Sequence, residues 1–160
     1  MPSKLVSDCS KAIAAKGYSI AFIESATAGR MCSEFSLTPK SGEILLGGIS
    51  CYKVFVKEKL IKVPPQLIAE HTPESAQVTQ SLAEHSSKLF RSDITVAVTG
   101  LVSPGGSETP DKPVGTMFIH ILYPKGFVAH AEVYRGSAEA IIMQAIDRTA
   151  ELIIRELEKE

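Results

Sequence analysis

The stretch Phe22-Ile23-Glu24-Ser25-Ala26-Thr27-Ala28-Gly29 sets a serine hydroxyl behind an apolar run and ahead of four small residues. A hydroxyl placed where a strand turns into a helix meets backbone N–H groups that can hold an oxyanion. Serine is a weak nucleophile at neutral pH and needs a base beside it. The histidines are poor candidates: His71 and His85 fall in helical segments, while His120 and His130 alternate within a hairpin, so all four read as structural or surface residues. Lys57 follows Val54-Phe55-Val56, an apolar run able to exclude water. Such burial depresses an amine from about 10.4 toward 7 or 8, where it can act as a base. Tyr52, five residues earlier, offers a hydroxyl to relay or orient a proton. On spacing alone, Lys57 reads rather as part of the solvated face of a short helix.

A third segment, Thr99 to Pro113, is rich in glycine, serine and proline. Gly100, Gly105 and Gly106 allow close backbone approach and positive φ, and Lys112 adds a charge, so the loop suits a small polar or anionic ligand. It lacks the Gly-Lys-Ser/Thr that opens the helix of a nucleotide-binding P-loop. A loop this long is either a surface turn or a functional element.

These segments need elements to hold them. Leu5, Cys9, Ala12 and Ile13 mark a first helix that Gly17 stops, and residues 18–24 suit a buried strand. A helix is expected from about Thr27 to Ser36, a turn at 39–42, a strand over 43–52 and a short helix over 53–60. Pro64-Pro65 breaks the chain and opens another short helix. Thr72, with Pro73 at the first helical position, is expected to cap a helix whose inner face carries Leu82, Ala83, Ser86, Leu89 and Phe90. Residues 93–100, β-branched and apolar on both faces, form a central strand. Two strands flank Pro124-Lys125 as a hairpin. A last helix from about Ser137 buries Ile141, Ile142, Ala145, Ile146, Thr149 and Ile153. The expected fold is a single three-layer α/β/α domain over residues 1–160, its sheet mostly parallel with an antiparallel hairpin at one side. In such sheets ligands bind beyond the carboxyl ends of the strands, where all three chemical segments begin.

Composition narrows the function. At 160 residues, 44% hydrophobic and 22% charged, the chain has the balance of an ordinary globular protein. A net charge of −1 without a basic cluster argues against nucleic acid as a partner. Cys9, Cys32 and Cys51 are widely spaced in apolar surroundings and read as free thiols of a cytoplasmic protein. No cysteine or histidine cluster has metal spacing, so neither metal nor cofactor is expected. No run approaches the roughly 20 apolar residues of a membrane span.

Taken in order, Glu24 to Gly29, Gly47 to Leu60 and Thr99 to Thr116 resemble the CinA C-terminal domain family, the nicotinamide-nucleotide amidases. That family typically shows Glu-Ser-Cys-Thr-Gly-Gly, then a tyrosine with a lysine five residues on, then Thr-Gly-Ile-Ala-Gly-Pro-x-Gly-Gly and Lys-Pro-Val-Gly-Thr. The resemblance implies metal-free hydrolysis of nicotinamide mononucleotide to the acid and ammonia. It implies Ser25 as nucleophile, Lys57 as general base and Tyr52 as its hydroxyl partner, with amides from Ala26 to Ala28 holding the oxyanion. Thr27, Ala28, Gly29, Thr99 and Gly100 would shape the pocket, and Gly105, Gly106 and Lys112 would sit near the nucleotide. The family is often fused to a larger N-terminal domain, so the chain resembles the stand-alone form; its apolar hairpin suits a homodimer. Ala26 and Ala28 replace the family Cys and first Gly, and Ala28 would resist a positive φ. Thr72-Pro73-Glu74-Ser75 replaces Gly-Ala-Val-Ser. After the hairpin, Gly136-Ser137-Ala138 and Ile141-Ile142-Met143 stand where the family carries arginines suited to a phosphate.

Overall fold

In the computed structural model, which describes residues 1–160, helices and strands alternate as the apolar periodicities require. The elements are α1 (Lys4–Ala15), β1 (Ile20–Glu24), α2 (Arg30–Ser36), α3 (Ser41–Ile44), β2 (Leu45–Ser50) and α4 (Val54–Lys59), followed by α5 (Pro65–His71), α6 (Ala76–Phe90), β3 (Ile94–Gly100), β4 (Thr116–Tyr123), β5 (Gly126–Val133) and α7 (Ala138–Glu158). The strands lie in the order β2-β1-β3-β4-β5. β1 pairs in parallel with β2 and β3, and β4 alone runs against its neighbours, so the hairpin closes one side as expected.

Successive strand residues point to opposite faces of the sheet, and that alternation divides the core. Phe22, Val96 and Val98 pack with α1, α2 and α7, whereas Ile23 and Ala97 pack with α5 and α6. The result is three layers, with β1 and β3 covered on both sides. The inner strands set the site directly. Glu24 lies level with Val98 on one side and Ser50 on the other, so the chain leaves β1, β2 and β3 at one edge of the sheet. Backbone bonds continue past the strand ends, from the Ser25 amide to the Val98 carbonyl (3.0 Å) and from the Cys51 amide to the Glu24 carbonyl (2.8 Å).

Several boundaries differ from expectation, each for a local reason. α2 begins at Arg30 rather than near Thr27, because Ala28 (φ 48) and Gly29 (φ 92) both adopt left-handed backbone that a right-handed helix cannot include. The turn at 39–42 runs on into α3, which buries Ile44, and β2 starts only at Leu45. Thr72 closes α5 as its C-terminal cap with a φ of 70, and its hydroxyl donates to the Glu74 carbonyl at 3.1 Å, rather than capping α6. Ser75 takes the capping role, its side chain accepting from the Val78 amide at 3.3 Å. Along α6 the buried stripe runs through Val78, Leu82 and Ser86, which leaves Leu89 on the flank and 58% exposed.

Gly100, at the mouth of the site, is fixed by space. A Cβ there would lie 2.2 Å from the Met117 sulfur and 2.7 Å from the Thr116 carbonyl. Overpacking of this kind costs about 1–3 kcal/mol. Gly100→Ala is therefore expected to lower the denaturation midpoint measurably in thermal or urea unfolding, with little change in m-value; an unchanged midpoint would show that β4 yields freely.

Candidate active site

The turn after β1 is held from behind. The Glu24 side chain is buried, and its carboxylate accepts from the Met31 amide at 2.7 Å and the Cys32 amide at 3.0 Å, closing the amino end of α2. The helix start is thus already occupied, so it is not the source of oxyanion donors that the sequence suggests. The Ser25 amide is spent on Val98, and the Ala28 amide donates to the Ser25 carbonyl at 3.1 Å. Ala28 is removed from the set of oxyanion donors by that bond, while the amides of Ala26 and Thr27 make no hydrogen bond within the protein. The Thr27 hydroxyl is likewise buried without a partner. Gly29 is needed twice over, for its left-handed backbone and because a Cβ would press to 3.3 Å from the Ser50 hydroxyl.

Lys57 sits on the inner side of α4 and is only 1% exposed. Its Nζ lies 2.9 Å from Ser25 Oγ and donates to the carbonyls of Cys51 (2.5 Å) and Tyr52 (3.4 Å). No carboxylate lies within ion-pairing distance of it. Burial pushes the amine below its ordinary value, opposed by the nearby Cys51 sulfur and the Glu74 carboxylate. Cys51 is itself pushed up by burial, which keeps it a neutral thiol at ordinary pH. The solvated-face reading of Lys57 is therefore overturned. The residues that shield it differ from those expected, because Val54 and Phe55 turn outward, Phe55 being 64% exposed.

Ser25 is 8% exposed and opens into a cleft of about 290 Å³. Around it stand Ala26, Tyr52, Lys53 and Glu74, with Gly100 to Gly106 forming the opposite wall. Gly105 (φ 101) supplies the positive φ of that wall, and a Cβ on Gly106 would strike Leu101 at 2.7 Å. Tyr52 lines the cleft, but the residue is 62% exposed and its hydroxyl makes no hydrogen bond; its carbonyl, not its hydroxyl, meets Lys57. Thr99 does not face the cleft. It is fully buried, with its hydroxyl 2.9 Å from that of Thr79 on α6, because the alternation along β3 turns it to the helical layer. Lys112 is also committed elsewhere, donating to Thr72 Oγ1 (2.7 Å), the Glu74 carbonyl (2.9 Å) and Ser107 Oγ (2.9 Å). It staples the 101–113 loop to the segment before α6 and leaves no free charge for a ligand. Glu74 is the wall residue that sequence reasoning passed over as a site residue; the one sign of it was its departure from the family pattern. None of the histidines lines this cleft.

The fold and the Ser25–Lys57 pair define a three-layer α/β protein with a shielded amine against a hydroxyl at the strand ends. The CinA C-terminal domain model matches residues 2–157, and the chain belongs to that family. It is 34% identical over 133 residues to a CinA-like protein of Anaeromyxobacter sp. (strain K), covering 83% of this chain and 32% of that protein. It is 31% identical over 147 residues to a CinA-like protein of Desulfotalea psychrophila, covering 92% and 35% respectively. The chain thus spans about a third of the length of these relatives. Among solved structures, a CinA superfamily protein of Klebsiella pneumoniae superposes with a TM-score of 0.92 at 20% identity, covering 98% of each chain. A competence/damage-inducible protein of Agrobacterium tumefaciens gives 0.88 at 20% identity, covering 97% of each. At that identity the structures share the fold. No helix is long and apolar enough to cross a membrane.

A depressed amine leaves a signature in stability. The folded state releases the Lys57 proton at lower pH than the unfolded chain does, so between those two values the unfolded state binds more protons and stability rises with pH. Relative to Lys57→Met, the wild type is expected to gain stability as pH is raised from 7 toward 10, with a slope of at most about 1.4 kcal/mol per pH unit. Parallel pH profiles in thermal denaturation would contradict the burial of a titrating amine.

Proposed function

We propose that the protein is an amidohydrolase that cleaves a small carboxamide by serine acyl transfer, with nicotinamide mononucleotide, the substrate implied by the family resemblance, as its leading candidate. The observation that supports this most directly is the 2.9 Å approach of a buried, unpaired Lys57 amine to Ser25 Oγ. In its neutral form the amine has two hydrogens, which the carbonyls of Cys51 and Tyr52 accept. Its lone pair is then left for the Ser25 proton.

Ser25 Oγ attacks the amide carbon as Lys57 takes its proton, and the carbonyl oxygen becomes an oxyanion within reach of the unspent Ala26 and Thr27 amides. The protonated Lys57 then delivers the proton to the leaving nitrogen, which departs as ammonia. Water, deprotonated in turn by Lys57, attacks the acyl-serine and releases the acid. Tyr52 contributes a wall of the cleft; its exposed phenol supports substrate contact better than proton relay. Assignment to pyridine-nucleotide salvage and to the cytoplasm belongs to the same proposal.

Ammonia release from nicotinamide mononucleotide tests it. Ser25→Ala is expected to fall to background and Lys57→Ala by about 10²–10⁴-fold; no turnover by wild type, or unchanged turnover in both variants, would end the hydrolase reading. Because the active base is neutral, kcat/KM is expected to be lost as pH falls through the Lys57 value, with the midpoint below the ordinary 10.4 or so of lysine. A profile flat between pH 6 and 10 would remove Lys57 from the role of base.

A further inference from the structure

Glu74 reaches the cleft beside Ser25 from the segment ahead of α6. One of its carboxylate oxygens, Oε2, accepts from Ser107 Oγ. The other makes no hydrogen bond, and no lysine, arginine or histidine pairs with the group. Lys112 comes near only indirectly, through Ser107 and the Glu74 backbone carbonyl. The only other charged side chain lining the cleft is the exposed Lys53, while Lys57 lies buried behind Ser25 and works as a neutral base. Glu74 is close enough for its charge to act on the Lys57 amine, and so it also acts on a carboxamide held between Lys57 and Ser25. A carboxylate that lines a binding cleft with one oxygen unbonded and no direct cationic partner is a place for positive charge.

We propose that Glu74 is a specificity-determining residue that reads the charge of the ring carrying the carboxamide, favouring a positively charged ring such as a pyridinium over a neutral one. The inference rests on the amidohydrolase reading of the same cleft. It also fits the reaction: the neutral amide becomes a carboxylate, which the adjacent Glu74 charge repels, so the same residue that draws in the substrate hastens departure of the product. Lys53 is the one lysine or arginine lining the cleft that the phosphate of a mononucleotide could use.

The test uses two matched carboxamides, nicotinamide mononucleotide and its neutral carbon-linked analogue in which a benzamide ring replaces the pyridinium. Glu74→Gln keeps the shape and the acceptor for Ser107 while removing the charge. The preference for the charged ring, read as the ratio of kcat/KM values at one pH, is expected to fall about tenfold or more, since opposite charges several Å apart in a partly shielded cleft attract by at least that much. Because both substrates meet the same Lys57, any change in the base cancels from the ratio. Glu74→Ala should reproduce the fall. Calorimetric affinities of Ser25→Ala for the two compounds, with and without Glu74→Gln, give the same ratio without chemistry. If binding preference falls but wild type releases no ammonia, the inference stands and the hydrolase reading fails. If ammonia is released and the ratio is unchanged, the hydrolase reading stands and the inference is overturned. Nicotinamide riboside, which keeps the ring charge and lacks the phosphate, is the third arm: a Glu74→Gln effect that favours the mononucleotide over the riboside, with the ring preference intact, would assign Glu74 to phosphate repulsion and overturn the proposal. Failure of nicotinamide mononucleotide to bind would overturn it as well.

Discussion

A lysine amine held almost wholly out of water, with no carboxylate to pair with, is the interaction around which the rest of this chain is arranged. Charging it there costs several kcal/mol in effective desolvation, so the surroundings must offer another way to satisfy it. They do so with acceptors that carry no full charge: two backbone carbonyls and a serine hydroxyl. Those acceptors come from different strand ends, Ser25 from β1 and the Cys51 and Tyr52 carbonyls from the segment after β2. The amine therefore depends on the two strands ending level with each other, which the register of Glu24 with Ser50 provides. β3 completes the arrangement by holding the Ser25 amide and delivering the glycine-rich wall.

Two side chains that do no chemistry keep these loops in place. Glu24 spends a buried carboxylate on the first amides of α2, where the helix dipole also favours a negative charge. That fixes the helix relative to β1 and leaves the intervening turn little freedom. Lys112 does the corresponding work for the long loop, its three hydrogen bonds binding residues far apart in sequence into one wall. The 101–113 segment is thus ordered by a cation that the sequence alone would assign to a ligand.

Element types and their order were legible because the core patterns are strong: continuous apolar runs for β1 and β3, helical stripes for α1, α6 and α7. Ser25, Lys57 and the glycine-rich wall were legible from residue type and position at strand ends, and the structure brings Ser25 and the wall to one cleft with Lys57 buried against Ser25. Side-chain direction was not. Whether Lys57 faced in or out depended on which face of the short α4 met the sheet, and the adjacent Val54 and Phe55 pointed to the wrong shielding. Thr99 is displaced from the site by one step of strand alternation, and Tyr52 by its phenol turning to solvent while its carbonyl turns in. The amides at the start of α2 were misread as free for a further reason. The Glu24 bonds to α2 depend on a tertiary closure that residue spacing does not report.

The small residues between Ser25 and α2 follow from the same closure. Once Glu24 has claimed the helix amides, the chain has only a few residues in which to reverse direction, and it does so through two successive left-handed positions. Gly29 adopts its position freely, whereas Ala28 pays the strain of a Cβ at positive φ. That strain is tolerated because both ends of the turn are pinned, one by the Ser25 amide on β3 and the other by the capped helix. In return the turn leaves the amides of Ala26 and Thr27, next in the chain after Ser25, without a hydrogen-bond partner in the protein.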